Sequence, residues 1–108
     1  MSEKAESVSE TTEVAFRNVA WKFIDQKLAE YAGKKGAERI KASYQGELEA
    51  LVKNEAHSIT EFVMKEKMNV SAHDMQEMIE SGSWVQDIEK VMDTYTKNHD
   101  VEGRPIIQ

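Results

Sequence analysis

What the sequence lacks already removes several classes of protein. None of its 108 residues is cysteine, so neither a disulfide framework nor a thiolate metal site can form. No apolar run approaches the roughly 18 residues that a membrane-spanning helix needs, and the first residues lack the apolar core of a signal peptide. We therefore expect a soluble, cytoplasmic protein of one small domain that makes no contact with a membrane.

Proline occurs only once and glycine only five times, so little in the chain interrupts long helices. Residues 1–10 are rich in Ser and Glu and have almost nothing to bury, so we expect a disordered, flexible N-terminal segment there. Thr11 or Thr12 can cap a first helix that ends near residue 32. Gly33 suits the left-handed position that follows the end of a helix.

The first helix is apolar over more than half of its circumference. Trp21, Ile24 and Leu28 belong to this broad apolar face when residues are placed at intervals of about 100°. A helix of this kind either lies at the centre of a core or is covered on a second side by a partner chain. These three residues are therefore candidate interface residues.

A second, longer helix is predicted over residues 37–67, where apolar residues fall on one stripe at helical spacing. The stripe consists of Ile40, Tyr44, Leu48, Leu51, Val52, Ile59, Phe62 and Val63. Unbroken, this helix would be about 46 Å long, whereas a compact domain of this size has a diameter of roughly 30 Å. Either the helix breaks near Gly46 or a second chain covers the overhang. One glycine costs only about 1 kcal/mol, so we expect an unbroken helix and a homodimer.

Glu55 is the one polar residue inside this stripe. It can set the register of a helix interface, act as a carboxylate of raised pKa, or lie at a partly open edge with its head group in water. In the dimer hypothesis, Glu55 lies near the seam between the two chains. Leu48, Leu51, Glu55 and Phe62 complete the candidate interface residues.

Two short helices are predicted after the long pair. Ser71 and Ser83 are each followed three residues later by an acidic or amide side chain, which is the spacing of a capping box. The short corner around Gly82 is also typical of a helix-turn-helix. A DNA-binding transcriptional regulator that uses residues 72–97 is therefore the alternative function. Residues 99–108 lose the helical periodicity and form a tail.

Negative charge gathers in the last third of the chain. The net charge is −6, and residues 71–108 carry eight acidic and three basic side chains, which sum to −5. Recognition of phosphates needs clustered Lys and Arg, so this balance argues against a nucleic-acid partner. We expect an acidic surface, with Asp87, Glu89 and Asp93 as its candidate residues, that engages a basic surface on another protein.

The sequence contains no pattern typical of an enzyme, a cofactor site or a metal site. His73–Asp74 and His99–Asp100 are potential metal ligands, but neighbours on a helix point about 100° apart and cannot chelate one ion. No nucleophile is paired with a base, and no glycine-rich phosphate loop or zinc signature is present. We expect no catalytic residues, no cofactor and no metal.

The leading hypothesis is a non-enzymatic protein-binding module, all-α in fold, that forms a homodimer and binds or antagonises another protein. Late in the chain, five methionines either fill gaps in a small core or provide an adaptable binding surface. They are Met64, Met68, Met75, Met78 and Met92. Small acidic helical proteins of viral or mobile-element type act as antagonists in this way, so this part of the hypothesis is an analogy with that class of proteins.

Overall fold

Four α-helices make up the part of the chain that the computed structural model describes, which is residues 2–99 and 104–106, with side chains for 11–99 and 104–106. The helices are α1 (Ser2–Ser43), α2 (Gln45–Lys65), α3 (Ala72–Glu80) and α4 (Trp84–Asn98). The predicted all-α chain of two long helices followed by two short ones is confirmed. Nowhere in the described residues is a helix both long and apolar enough to cross a membrane.

The chain reverses its direction inside α1, at Gly33. This residue has φ 74° and ψ 174°, a region open essentially to glycine alone, and it divides α1 into a first arm (residues 2–32) and a second arm (residues 34–43). Along a straight helix, Asp25 and Lys41 would lie about 24 Å apart. Their Oδ1 and Nζ atoms are instead 2.9 Å apart, so the second arm folds back antiparallel to the first. The predicted end of the first helix is confirmed.

The helix predicted over residues 37–67 is interrupted at Tyr44, where φ is −121° and ψ is 29°. The expectation of an unbroken helix is therefore wrong, and the interruption falls two residues before Gly46. Hydrogen bonding resumes at once, because the Tyr44 carbonyl accepts from the Leu48 amide at 2.9 Å. The irregular residue is the one whose ring packs edge-on against Tyr95 of α4, with ring centres 6.4 Å apart. Tertiary packing thus overrides the local preference for helix.

The chain covers most of its own apolar stripe. The fully or almost fully buried residues of α1 and α2 are Phe16, Ala20, Ile24, Leu28, Ile40, Leu48, Val52, Ala56, Ile59 and Val63. α3 and α4 close this core from one side with Ile79, Trp84, Ile88, Met92 and Tyr95. The molecule measures 57 × 23 × 20 Å, so the roughly spherical body of about 30 Å expected from chain length is wrong. Because the bundle is elongated, a long helix can pack along it without extending beyond its own domain.

The two short helices begin in different ways. Ser71 and Asp74 form the predicted capping box at the start of α3: each backbone amide donates to the other residue's side chain at 3.1 Å. The predicted capping box at Ser83 is wrong, because Ser83 has helical angles (φ −64°, ψ −19°) and a capping side chain requires extended backbone. The corner is held instead by the Trp84 indole, whose Nε1 donates to the Ile79 carbonyl at 2.7 Å.

The two ends of the chain fall partly outside the described residues. The backbone of residues 2–10 belongs to α1, but the side chains of residues 1–10 are not described, so disorder in this segment stays a prediction. At the other end, the Ile106 amide donates to the Asn98 carbonyl at 2.8 Å. Pro105 forms an isolated bridge with His99, so this part of the tail turns back onto the end of α4.

The end of α2 is a complete Schellman motif in which the left-handed position is not a glycine. The Lys67 amide donates to the Met64 carbonyl at 3.3 Å, and the Met68 amide donates to the Val63 carbonyl at 3.0 Å. Lys67 has φ 52°, a conformation that a residue with a Cβ atom adopts at a cost. This reversal carries the chain towards α3.

The first prediction follows from this strain. Lys67→Gly should raise the free energy of unfolding by about 1 kcal/mol, because glycine adopts positive φ without a steric penalty. Lys53→Gly, an equally exposed position in the middle of α2, should lower it by about 1 kcal/mol. Urea titration of both variants measures the two changes. A loss of stability in Lys67→Gly similar to that in Lys53→Gly would contradict the observed end of α2.

Candidate protein-binding surface

The structure distributes the seven candidate interface residues over three environments. Ile24, Leu28 and Leu48 are fully buried within the chain, so no second chain can reach them in this structure. Trp21, Leu51 and Glu55 are partly buried. Phe62, with 52% of its surface exposed, is the candidate most open to a partner.

Trp21 lies on the side of the α1–α2 pair that carries Lys41. The Lys41 Nζ stands 4.9 Å from the centre of the indole ring and also pairs with Asp25. Glu38 and Glu49 line the same shallow depression. Trp21 is therefore half-covered by polar and charged side chains rather than enclosed, and it contributes only part of its ring to any contact with another protein.

Large apolar side chains are exposed at the end of α2. Phe62, Met64 and Met68 retain 52%, 41% and 45% of their surface, all within seven residues of the chain. Met92, by contrast, is buried in the core, and Met75 and Met78 are partly buried against it. The interpretation as gap fillers thus fits Met75, Met78 and Met92, whereas a binding role for the exposed Met64 and Met68 stays a prediction. We call Phe62, Met64 and Met68 the α2 end surface, which extends around the helix because Phe62 and Met64 flank the buried Val63 and lie about 160° apart.

The three residues predicted to form an acidic surface are all exposed on α4, but they do not form one patch. Asp87 and Glu89 flank the buried Ile88 and lie about 160° apart around the helix axis. Glu89 and Asp93 are one turn apart and share a side. Asp87 is on the opposite side, close to Glu55. Acidic side chains therefore lie along both edges of the exposed face of α4.

Glu55 lies between α2 and the corner that joins α3 to α4. A Cβ atom on Gly82 would come within 2.7 Å of the Glu55 Oε1 atom and within 2.7 Å of Trp84 Cδ1, so the corner requires glycine. Burial, and secondarily the negative charge of Asp87, raise the pKa of Glu55 above its ordinary value of 4.5. The carboxylate faces a corner of its own chain, which accounts for the raised pKa without any second chain.

One polar contact between helices was not predicted. The His57 Nδ1 atom lies 3.2 Å from Glu13 of the first arm, and its Nε2 atom lies 3.0 Å from Glu61. The spacing of His57 and Glu61 on one helix was visible in the sequence. Glu13 was not, because its approach depends on the reversal of α1. This exposed contact joins α1 to α2.

The other two histidines make contacts with near neighbours in the chain. His73 pairs with Glu77 at 3.0 Å, and the His99 ring stacks on Tyr95, while Asp100 lies outside the described residues. In the described part of the chain, no three His, Asp or Glu side chains come together in a way that could hold a metal ion. No known protein family, no curated protein and no solved structure matches the chain. Its function has to be argued from its surface.

The second prediction concerns the ionisation of Glu55. The raised pKa means that the folded chain holds this proton more tightly than the unfolded chain does. The protonated Glu55 carboxyl group therefore contributes its full stabilisation below pH 4.5, and this stabilisation is lost as the pH rises through the raised pKa of Glu55. Glu55→Gln should raise the free energy of unfolding at pH 7, by less than about 1 kcal/mol because water screens the half-exposed group.

Urea titrations at several pH values check this result. The gain from Glu55→Gln should shrink as the pH falls towards 4.5 and vanish below it. Glu49→Gln, on an exposed side of the same helix, is the matched control and should give no such gain. If Glu55→Gln lowered the stability at pH 7, the ionised carboxylate would be a stabilising group and the described environment would be wrong.

Proposed function

We propose that this chain is a non-enzymatic protein-binding module that docks another protein on its helical surface. The observation that carries the proposal is the α2 end surface, where Phe62, Met64 and Met68 are each more than two-fifths exposed. Aromatic side chains and methionines are enriched in protein interfaces because they supply large or adaptable contact areas. None of the three residues belongs to the buried core or packs against it, so core packing does not account for their apolar character.

The charge of the chain supports a basic partner. The net charge is −6, and the exposed sides of α3 and α4 carry most of the excess acid. Complementary charge steers the encounter of two proteins and suppresses unsuitable partners. One specific form of the proposal is an antagonist whose acidic surface occupies a basic, nucleic-acid-binding surface on the other protein.

A homodimer is the second part of the proposal. The first arm of α1 covers most of the stripe that suggested a dimer, so the contact would have to use Phe62, with Trp21 and Leu51 contributing in part. In a two-fold dimer the same patch occurs on both chains, so one exposed aromatic ring contributes twice. Such a dimer would be smaller than an obligate one, which buries well over about 1,000 Å².

The alternative function is DNA binding through α3 and α4. Its support is the three-residue corner between a helix of 9 residues and a helix of 15 residues, which resembles a helix-turn-helix in spacing. Its difficulty is electrostatic, because Glu89 and Asp93 would face the phosphates. Titration of duplex DNA at low salt separates the two functions: the protein-binding proposal expects no complex.

The third prediction tests the α2 end surface directly. The immobilised chain, its Phe62→Asp variant and its Val14→Asp variant are each exposed to a lysate of the source organism, and retained proteins are identified by mass spectrometry. Val14 is 49% exposed on α1, so the control makes the same chemical change on a different surface. We expect a partner that the wild-type chain and Val14→Asp retain and that Phe62→Asp loses.

Light scattering on the same three proteins tests the dimer. A wild-type mass of twice 12.3 kDa that falls to 12.3 kDa in Phe62→Asp alone is the expected result. A mass of 12.3 kDa for all three proteins at every concentration would contradict the homodimer. If Phe62→Asp retained every protein that the wild type retains, the α2 end surface would not be the docking site.

A further inference from the structure

An apolar groove that shares Met68 with the α2 end surface lies where the chain passes from α2 to α3. Met68 and Met78 line an open groove whose remaining lining is Asp74, Glu77, Glu80 and Ser81. We call the two methionines and three carboxylates the methionine groove. Met68 keeps 45% of its surface exposed there, and Met78 is half-buried between the groove and the core. The groove is thus an apolar strip with an acidic rim.

The fold fixes both components of this groove. The positive φ of Lys67 ends α2 and directs the following residue, Met68, towards α3. On α3, the capping box with Ser71 holds the Asp74 side chain in place. The hydrogen bonds that Asp74 accepts from Ser71 lower the pKa of its carboxyl, so this rim residue is ionised at neutral pH.

The rim carries three carboxylates, and none of the side chains that line the groove is basic. Glu77 pairs with the exposed His73, and Glu80 accepts a hydrogen bond from Gln76 at 3.3 Å. Neither contact brings a Lys or Arg side chain to the rim, so the groove keeps a negative field. The field favours a ligand that combines apolar side chains with Lys or Arg.

We propose that the methionine groove binds a basic amphipathic helix of another protein. The inference rests on the proposed protein-binding function and names the partner's chemistry. An apolar side chain of that helix would seat between Met68 and Met78, and its flanking Lys or Arg residues would face the rim carboxylates. Methionines suit this role because their flexible side chains repack around different apolar groups, as in other groove-type recognition of helices.

A second copy of this chain is a poorer occupant of the groove. The most basic helical segment of the chain, the second arm of α1, carries four basic side chains and one acid, but its large apolar residue Ile40 is fully buried in its own core and cannot seat between the methionines. Nucleic acid is repelled by the same carboxylates. The charge of the rim therefore points to a basic helix from a different protein.

The fourth prediction uses three synthetic probes and fluorescence anisotropy with the full chain. The first is a fluorescein-labelled helix of about 18 residues, built from Leu and Lys with all Leu on one face. The second replaces every Lys with Glu, and the third scrambles the first so that no apolar face remains. We expect the first probe to bind, with an affinity that falls at roughly 0.3 M salt. The second should not bind, and the third should bind about tenfold more weakly.

Paired variants locate the binding on the molecule. Glu77→Lys with Glu80→Lys reverses two rim charges and should weaken the first probe by about tenfold or more. Glu89→Lys with Asp93→Lys makes the same change in total charge on α4, outside the groove, and should weaken it by less than about twofold. Met68→Ser, at an exposed position, should weaken it severalfold at unchanged charge.

Equal losses from the two charge-reversal pairs would overturn the proposal, because they would show attraction to overall acidity alone. Unchanged affinity in Met68→Ser would also overturn it, since the apolar strip would then have no part in binding. Either failure leaves the proposed function standing if Phe62→Asp still abolishes capture of a natural partner. The proposed function fails separately, when wild type and Phe62→Asp retain the same proteins.

Discussion

Gly33 adopts φ 74° and ψ 174°, a conformation that residues with a Cβ atom avoid, and the reversal it permits brings the two arms of α1 side by side. The core forms on this antiparallel pair. Ile24 and Leu28 of the first arm face the stripe that begins at Ile40 and continues along α2. α3 and α4 then have a surface on which to pack, with Trp84 tilted against Phe23 at 5.8 Å.

The reversal also decides which surfaces remain for function. Because the first arm lies along the stripe, the residues left open are at its margins and beyond its end, at Phe62, Met64 and Met68. α3 and α4 pack on one side of the core, and their acidic side chains are exposed on that side of the molecule. Apolar and acidic surface therefore meet near the methionine groove. A small chain thus has a buried core of its own and exposed apolar side chains beside an acidic rim, with Met68 shared between the α2 end surface and the methionine groove.

Most of the fold could be predicted from local sequence patterns. Apolar periodicity predicted two long helices followed by two short ones, Gly33 marked the end of the first arm, and the Ser71–Asp74 capping box started α3. The interruption at Tyr44 could not be predicted, because it depends on the packing of that ring against Tyr95, a residue far away in the chain. The sequence pattern says nothing about overall shape, and the expectation of a dimer assumed a spherical body, whereas the bundle is elongated.

The surface was harder to predict than the core. Helical phase assigned Leu48 and Phe62 to one apolar stripe, but in the folded chain Leu48 is fully buried and Phe62 is half-exposed, a difference that depends on how the other helices pack on α2. The groove was equally invisible, since Met68 and Met78 belong to different segments. The positive φ of Lys67 brings them together, and this backbone conformation is not expected for a lysine.

The most direct test of this account is the change in unfolding free energy caused by Gly33→Ala, measured by urea titration beside Gly46→Ala. A Cβ atom at either position meets nothing within 4 Å, so the two variants compare backbone conformation alone. Gly46 lies in α2, where alanine should stabilise the chain by up to about 1 kcal/mol. At Gly33 the account predicts a loss of about 1–3 kcal/mol, from strain in a conformation that alanine avoids. A gain at Gly33 equal to that at Gly46 would mean that α1 continues straight through this residue, and it would contradict the hairpin on which the core and both surfaces depend.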